Sequence, residues 1–206
     1  MKLTTTSFQD GGVIPERYAL AKADPETRVT FAGNVNPHLE WSEVPEGTKS
    51  FALICHDYDV PSRGDDVNQA DREVPADLAR VDFFHWVLVD LPAEMRSIGE
   101  GEHSEGVVAG GKDDDIHVGR HGVNDFTGWF AGDEDMAGEY YGYDGCAPPW
   151  NDSLIHHYVF TLYALDIESV PVEGAFTGQE VRDAISGHVL AEASIEGTYT
   201  QNPRLL

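Results

Sequence analysis

At 206 residues the chain is long enough to bury one sizeable core, and a single domain over 1–206 is expected. Thirteen basic against 37 acidic residues leave a formal charge of -24, a field that repels phosphate backbones and anionic headgroups and so argues against nucleic acid and peripheral membrane roles. Only Lys2, Lys22, Lys49 and Lys112 are lysines; an acidic, lysine-poor surface suits concentrated salt, where self-repulsion is screened within a few ångströms.

Residues 1–5, Met-Lys-Leu-Thr-Thr, lack the basic and apolar blocks of a signal peptide, and no stretch approaches the ~20 apolar residues of a membrane span. A soluble, cytoplasmic protein is expected. Residues 38–41, His-Leu-Glu-Trp, form a short strand bounded by Pro37 and by Pro45-Glu46-Gly47. Residues 50–57 follow as a strongly apolar strand. Residues 62–82 are charged and turn-rich and read as a surface insertion. A second long strand covers 83–91. Residues 100–149 hold 11 of the 21 glycines and almost no strand signal; a coil of that length in a compact domain tends to be functional. Residues 157–166 give a third strand, apolar on both faces like a central strand of a layered structure. Thr177-Gly178-Gln179-Glu180 is a capping box, followed by Val181, Ala184 and Ile185 at helical spacing and stopped by Gly187. Finally, Ala191, Ala193, Ile195, Gly197 and Tyr199 alternate with Glu192, Ser194, Glu196 and Thr198, the period of a half-exposed strand. The fold class is mainly antiparallel β with one short helix near the C-terminus.

Four groups of residues carry the chemistry. Strand alternation sets Asp57 on the face of Phe51, Leu53 and Cys55, where an unpartnered carboxylate costs several kcal/mol. Asp57 and Asp59 either bond turn amides ahead of Pro61 or face a site. His85, expected on one face with Phe83, Val87 and Val89, is either a satisfied core histidine or a group at the sheet rim. His156 and His157 point to opposite faces, so one at most can join His85. Gly142 and Gly145, followed by Pro148-Pro149, stiffen a turn whose backbone approaches something closely. Arg120, within 119–126, is offered as a loop guanidinium, and Trp129, Tyr140, Tyr141, Tyr143 and Trp150 as aromatics of a pocket mouth or of loop packing. Two separated cysteines, Cys55 and Cys146, suggest neither a disulfide framework nor a zinc site. No His-x-x-x-His lies on a predicted helix, so no metal and no cofactor is expected. No Gly-x-Ser-x-Gly elbow occurs, and no catalytic residue is assigned.

Taken in order, Asp57-x-Asp59-x-Pro61, His85-Trp86-Val87, Gly142-Tyr143-Asp144-Gly145 with Pro148-Pro149, and His156-x-Tyr158 resemble the phosphatidylethanolamine-binding protein family, in particular its prokaryotic Raf-kinase-inhibitor-like group. Ser7-Phe8-x-Asp10-Gly11-Gly12-x-Ile14-Pro15, Asn36-Pro37-His38-Leu39-x-Trp41 and Gly187-His188-Val189-Leu190-Ala191 extend the likeness to both ends. The acidic composition adds the expectation of a halophilic archaeal source. The resemblance implies a β-sandwich of two antiparallel sheets with a few short peripheral helices, and a small anion-binding cavity at one end. Carried over, the cavity comprises Asp57, Asp59, Pro61, His85, Gly145, Pro148, Pro149, His156 and Tyr158, with imidazoles and a phenol donating to the anion and Asp57 orienting a histidine. The sequence departs from the family pattern at Tyr58 and Val60, at Cys146-Ala147, where the turn loses a proline, at His157, and in the length of 62–82.

The implied function is a ligand-binding module for phosphate, a carboxylate or a phospholipid headgroup, with no chemical step. An alternative is a kinase or protease inhibitor docking through the rim loops, above all 62–82. A further one is a hydrolase or isomerase using His85 and His156 as acid and base. Likeness to the prokaryotic group also implies pairing into a homodimer.

Overall fold

The computed structural model describes residues 1–206. Eleven strands occur in chain order: β1 (Lys2–Thr4), β2 (Gly12–Val13), β3 (Ala21–Asp24), β4 (Arg28–Phe31), β5 (Leu39–Ser42), β6 (Ser50–Pro61), β7 (Arg80–Pro92), β8 (Ser97–Ile98), β9 (Arg120–His121), β10 (His156–Leu165) and β11 (Val189–Tyr199). Two helices are present, a single turn α1 (Phe126–Trp129) and α2 (Gly178–Ala184). In α2 the expected capping box is formed in both directions, with Thr177 accepting from the Glu180 amide and the Glu180 carboxylate accepting from the Thr177 amide. No helix is long and apolar enough to cross a membrane.

The fold is mainly β, and its sheets differ in detail from the two antiparallel sheets expected. Six strands in the order β2-β11-β10-β6-β7-β9 form the main sheet, whose outermost pair, β2 with β11, is parallel. A three-stranded sheet, β1-β5-β8, lies across the core from it, and β3-β4 stands apart as a hairpin. The apolar runs of β6, β7 and β10 follow from burial on both sides. Phe51, Leu53, Trp86, Leu88, Phe160 and Leu162 meet Leu3, Leu39, Trp41 and Ile98 of the small sheet. On the opposite face Ala52, Ile54, Val87 and Val89 pack under Val181 and Ile185 of α2. Each such aromatic or aliphatic side chain contributes about 1.5–3 kcal/mol by leaving water.

The long region 100–149 is fixed by buried amides rather than by a ladder, which is how a coil meets its backbone hydrogen-bonding needs inside a domain. Asn36 accepts from the amides of His103 and Ser104. Asn34 donates to Gly106 O and to Asp144 Oδ1 while accepting from the Gly145 amide. Asn124 donates to Asp144 Oδ2 and accepts from the Phe126 amide. Arg120 is not a pocket group: its guanidinium binds Asp90 and the carbonyls of Val170 and Val172.

The ion pairs at the surface, such as Arg17–Glu100 and Arg72–Asp66, are few beside the excess of carboxylates. Repulsion among those carboxylates weakens as the Debye length shrinks to about 3 Å in 1 M salt. The melting temperature is therefore expected to rise by several degrees between 0.1 and 2 M KCl. A flat or falling profile in calorimetry would show that charge repulsion does not govern stability.

Candidate functional site

Strand register gathers the candidate residues at one end of the main sheet. In the β10–β6 ladder Tyr158 lies opposite Asp57, and in the β6–β7 ladder Asp57 lies opposite Phe83. Two irregularities then decide which side chains face inward. Cys55 pairs with Trp86 but His56 pairs with Phe84, so His85 is the extra residue of a bulge. A bulge re-aims the side chain of its inserted residue. His85 therefore turns to the core face beside Phe83 and Tyr158, while Val87 and Val89 stay on the far face under α2; the expected grouping of these three residues is corrected on this point. The second irregularity lies between Asp57 and Val60. It keeps Val60 and Pro61 inward and turns Asp59 out.

The result is one cavity of about 220 Å³. Asp57, Pro61, His85, Pro148, Pro149, His156 and Tyr158 line it, brought together from four separated stretches. Asp59 and Gly145 do not. Asp59 accepts from the backbone amide and Nδ1 of His157, at 2.9 and 2.8 Å, and His157 stacks on Tyr58. Gly145 lies behind the wall, its amide bonded to Asn34. Segment 62–82 is not a free insertion: Gly64, Val67 and Asn68 line the cavity, and residues 80–82 already belong to β7. Asn151 pins the segment by donating to the carbonyls of Asp66, Gln69 and Arg72. The β3–β4 hairpin forms a further wall, through Ala21, Val29 and Phe31, and Arg28 at the start of β4 stacks its guanidinium 4.4 Å from the Trp150 ring. Trp129 lines the mouth, whereas Tyr140 is buried in loop packing and Tyr143 in the main core against Trp86 and Phe160.

At the floor His156 is held between two carboxylates, with Nδ1 2.6 Å from Asp57 and Nε2 3.1 Å from Asp152. Carboxylates accept, so both ring nitrogens carry hydrogen and the ring is an imidazolium. Burial works against that charge, but the bonds to Asp152 and Asp57 outweigh it and raise His156 to about 9. Arg80 closes the far side with two contacts to Asp152, at 2.6 and 3.0 Å, and a third to Asp59 O. Asp57 orients a histidine as expected, yet that histidine has no nitrogen left to offer a guest. Buried Asp152 and Arg80 escaped the sequence reading. Arg80 lies at the end of the apparent insertion, and Asp152 in a short loop with no pattern of its own.

His85 is the opposite case. Its Nδ1 donates to the Asp144 carbonyl at 2.7 Å, so in the neutral ring Nε2 is a bare acceptor. Burial holds the ring neutral, lowering it to about 4 against the opposing pull of Asp57 and the Asp144 carbonyl. The Tyr158 hydroxyl and Gln201 Oε1 are buried on the cavity wall without a protein partner. Burial, then the nearby Asp57, pushes the Tyr158 phenol well above its usual range, so it remains a donor. Gln201 follows the last strand and carried no signal in the sequence. Cys55 and Cys146 are buried and free.

Comparison with known proteins points one way. Residues 4–200 match the family model described as phosphatidylethanolamine-binding protein. The UPF0098 protein YbhB of Escherichia coli is 33% identical over 201 residues, covering 97% of this chain and all of that one. A UPF0098 protein of Methanothermobacter thermautotrophicus is 32% identical over 199 residues, 97% of this chain and 98% of that one. Among solved structures, Escherichia coli YbcL, described as a new member of the mammalian PEBP family, superposes with a TM-score of 0.68 at 26% identity, covering 97% of both chains. A homologue from Chlamydia trachomatis gives 0.63 at 26%, covering 96% of this chain and 95% of that one. These relatives come from bacteria and archaea alike and lend no support to a halophilic archaeal source.

Proposed function

This chain belongs to the phosphatidylethanolamine-binding protein family, and from that premise we propose that it is a ligand-binding protein whose cavity receives a small anionic group: a phosphate, a carboxylate or a phospholipid headgroup. The observation that carries the reading is the convergence of Asp57, His85, His156 and Tyr158 on one cavity in which His85 Nε2 and the Tyr158 hydroxyl have no partner from the protein. His85, once a proton is taken up with the guest, and the phenol would supply two donors to one oxygen cluster, each bond to a charged guest being worth about 1.5–3 kcal/mol.

The same geometry weighs against the two alternatives. His156 is locked in its carboxylate clamp and charged up to about 9, which removes it from acid–base work near neutral pH. The rim segment that motivated a docking role is used instead as a pocket wall. Calorimetric titration of the full chain at pH 6 with phosphate, acetate and glycerophosphoethanolamine tests the proposal. At least one is expected to saturate at one site, and His85→Ala and Tyr158→Phe each to weaken it about tenfold or more, with Asp59→Asn as the unaffected reference. Equal affinity in wild type and His85→Ala would place the anion elsewhere.

A further inference from the structure

The charges at the cavity floor cancel. Asp57 and Asp152 are matched by the His156 imidazolium and the Arg80 guanidinium, and Arg80 stands behind Asp152, outside the cavity. No lysine or arginine lines the cavity at all. What the floor offers is an acceptor at His85 Nε2, an acceptor at Gln201 Oε1 and a hydroxyl at Tyr158. Above it the walls are apolar: Val29, Phe31, Val67, Phe126, Trp129 and Phe130. A bare dianion placed there would exchange its water for hydrocarbon and find no opposing free charge, a costly transfer. A guest that brings a proton to His85 Nε2, accepts from the Tyr158 hydroxyl and lays an apolar tail on the walls meets two of the three unpaired atoms and leaves only Gln201 Oε1.

We propose, building on the anion-site reading above, that this cavity selects oxyacids with an alkyl or aryl tail and takes up one proton as the ionised acid binds, the proton ending in the hydrogen bond between His85 Nε2 and the acid oxygen. The proton comes from solvent and no covalent bond changes. The groups that act on His85 are Asp57 from β6, His156 and Tyr158 from β10, the Asp144 carbonyl and, as the weakest influence, His56 of β6; Phe83 and Phe126 present only rings. His156 keeps its charge up to about 9 and Tyr158 its hydrogen. His85 is neutral above about 4 in the empty protein. Between pH 5.5 and 8 the proton taken up is therefore the one shared by His85 and the guest. Linkage then sets the slope: with a carboxylate ionised in solution, affinity falls about tenfold for each unit of rising pH.

The test is isothermal titration of the full chain at pH 5.5 to 8 and constant ionic strength, in buffers of differing ionisation enthalpy, with acetate, hexanoate, hexyl phosphate, inorganic phosphate and hexylammonium. Each buried methylene raises affinity about fourfold, so hexanoate should bind at least about thirtyfold tighter than acetate and absorb close to one proton. Hexyl phosphate distinguishes a phosphoric from a carboxylic head; its second ionisation lies at about pH 6, so the same tail dependence, with proton uptake appearing only above that pH where the dianion is the free species, supports the proposal. His85→Gln is expected to abolish proton uptake while keeping the preference for hexanoate over acetate. The half-exposed pair Phe31→Ala, Trp129→Ala should do the reverse. Inorganic phosphate matching hexanoate at pH 8 without proton uptake, or acetate matching hexanoate, overturns this inference and leaves the anion site standing. Hexylammonium binding better than hexanoate, or no acid binding at any pH, overturns both.

Discussion

Replacing His156 by Gln is expected to destabilise the protein by about 3–5 kcal/mol, the cost of leaving buried charge uncompensated, and to lower its melting temperature by roughly 10 °C or more. The side chain is fully buried, with Asp57 on one nitrogen and Asp152 on the other. Glutamine can reach one carboxylate at most and brings no charge. The pH dependence makes the prediction specific. His156 rises from its usual 6.5 to about 9 in the folded chain. A raised value means that its contribution, on the order of 3 kcal/mol from a shift of that size, is complete below about 6.5 and is lost as pH climbs through 9. The stability gap between wild type and His156→Gln should therefore narrow steadily from pH 7 to 9.5 in urea unfolding. A gap that stays constant over that range would mean that the imidazole is neutral in the folded protein and that the clamp is not ionic.

Gly145→Ala is expected to cost more than about 3 kcal/mol, at the upper end of overpacking effects, and to abolish ligand binding at any protein concentration at which it still folds. A Cβ added at Gly145 overlaps the Tyr18 carbonyl oxygen. That carbonyl cannot retreat, because it accepts from the buried Tyr143 hydroxyl at 2.6 Å. The next residues are fixed as well, Leu20 and Ala21 both donating to Cys146 O. Strain at this point is passed to the Pro148–Pro149 wall and to Asn34, which bonds the Gly145 amide. Gly128→Ala is the matched control: nothing lies within 4 Å of its added Cβ, and replacing a helical glycine stabilises by about 0.5–1 kcal/mol. Comparable melting temperatures for the two variants would show that the turn has slack which the geometry denies it.

The sequence was most readable where one physical rule acts locally. The strands appear where unbroken apolar runs predict them, because β6, β7 and β10 are covered on both faces by Trp41 and Leu39 on one side and Val181 and Ile185 on the other. The α2 start is fully written in Thr177 and Glu180. The expected site was legible as a set of segments and less so as a set of directions. Simple alternation puts Asp59 on the inward face and His85 with Val87 and Val89. Two bulges reverse both assignments, and a bulge leaves no trace in polarity because it is a property of how two strands pair. Segment 62–82 looked like an insertion because its anchors lie far along the chain, in residues 150–153, with Asn151 holding three of its carbonyls and Ser153 a fourth.

The amino-acid sequence thus determined the layered β architecture, the short capped helix, the acid-rich surface and the stretches from which a site could be made, since hydrophobic period, capping chemistry and charge are carried by neighbours along the chain. Only the tertiary structure decided what those residues do. Registry and bulging set His85 free and bound His156 to two carboxylates, one of them Asp152 with its partner Arg80. The protonation of each imidazole depends on which atoms arrive from other strands: a carbonyl leaves one ring neutral with a bare nitrogen, while two carboxylates make the other a permanent cation near neutral pH.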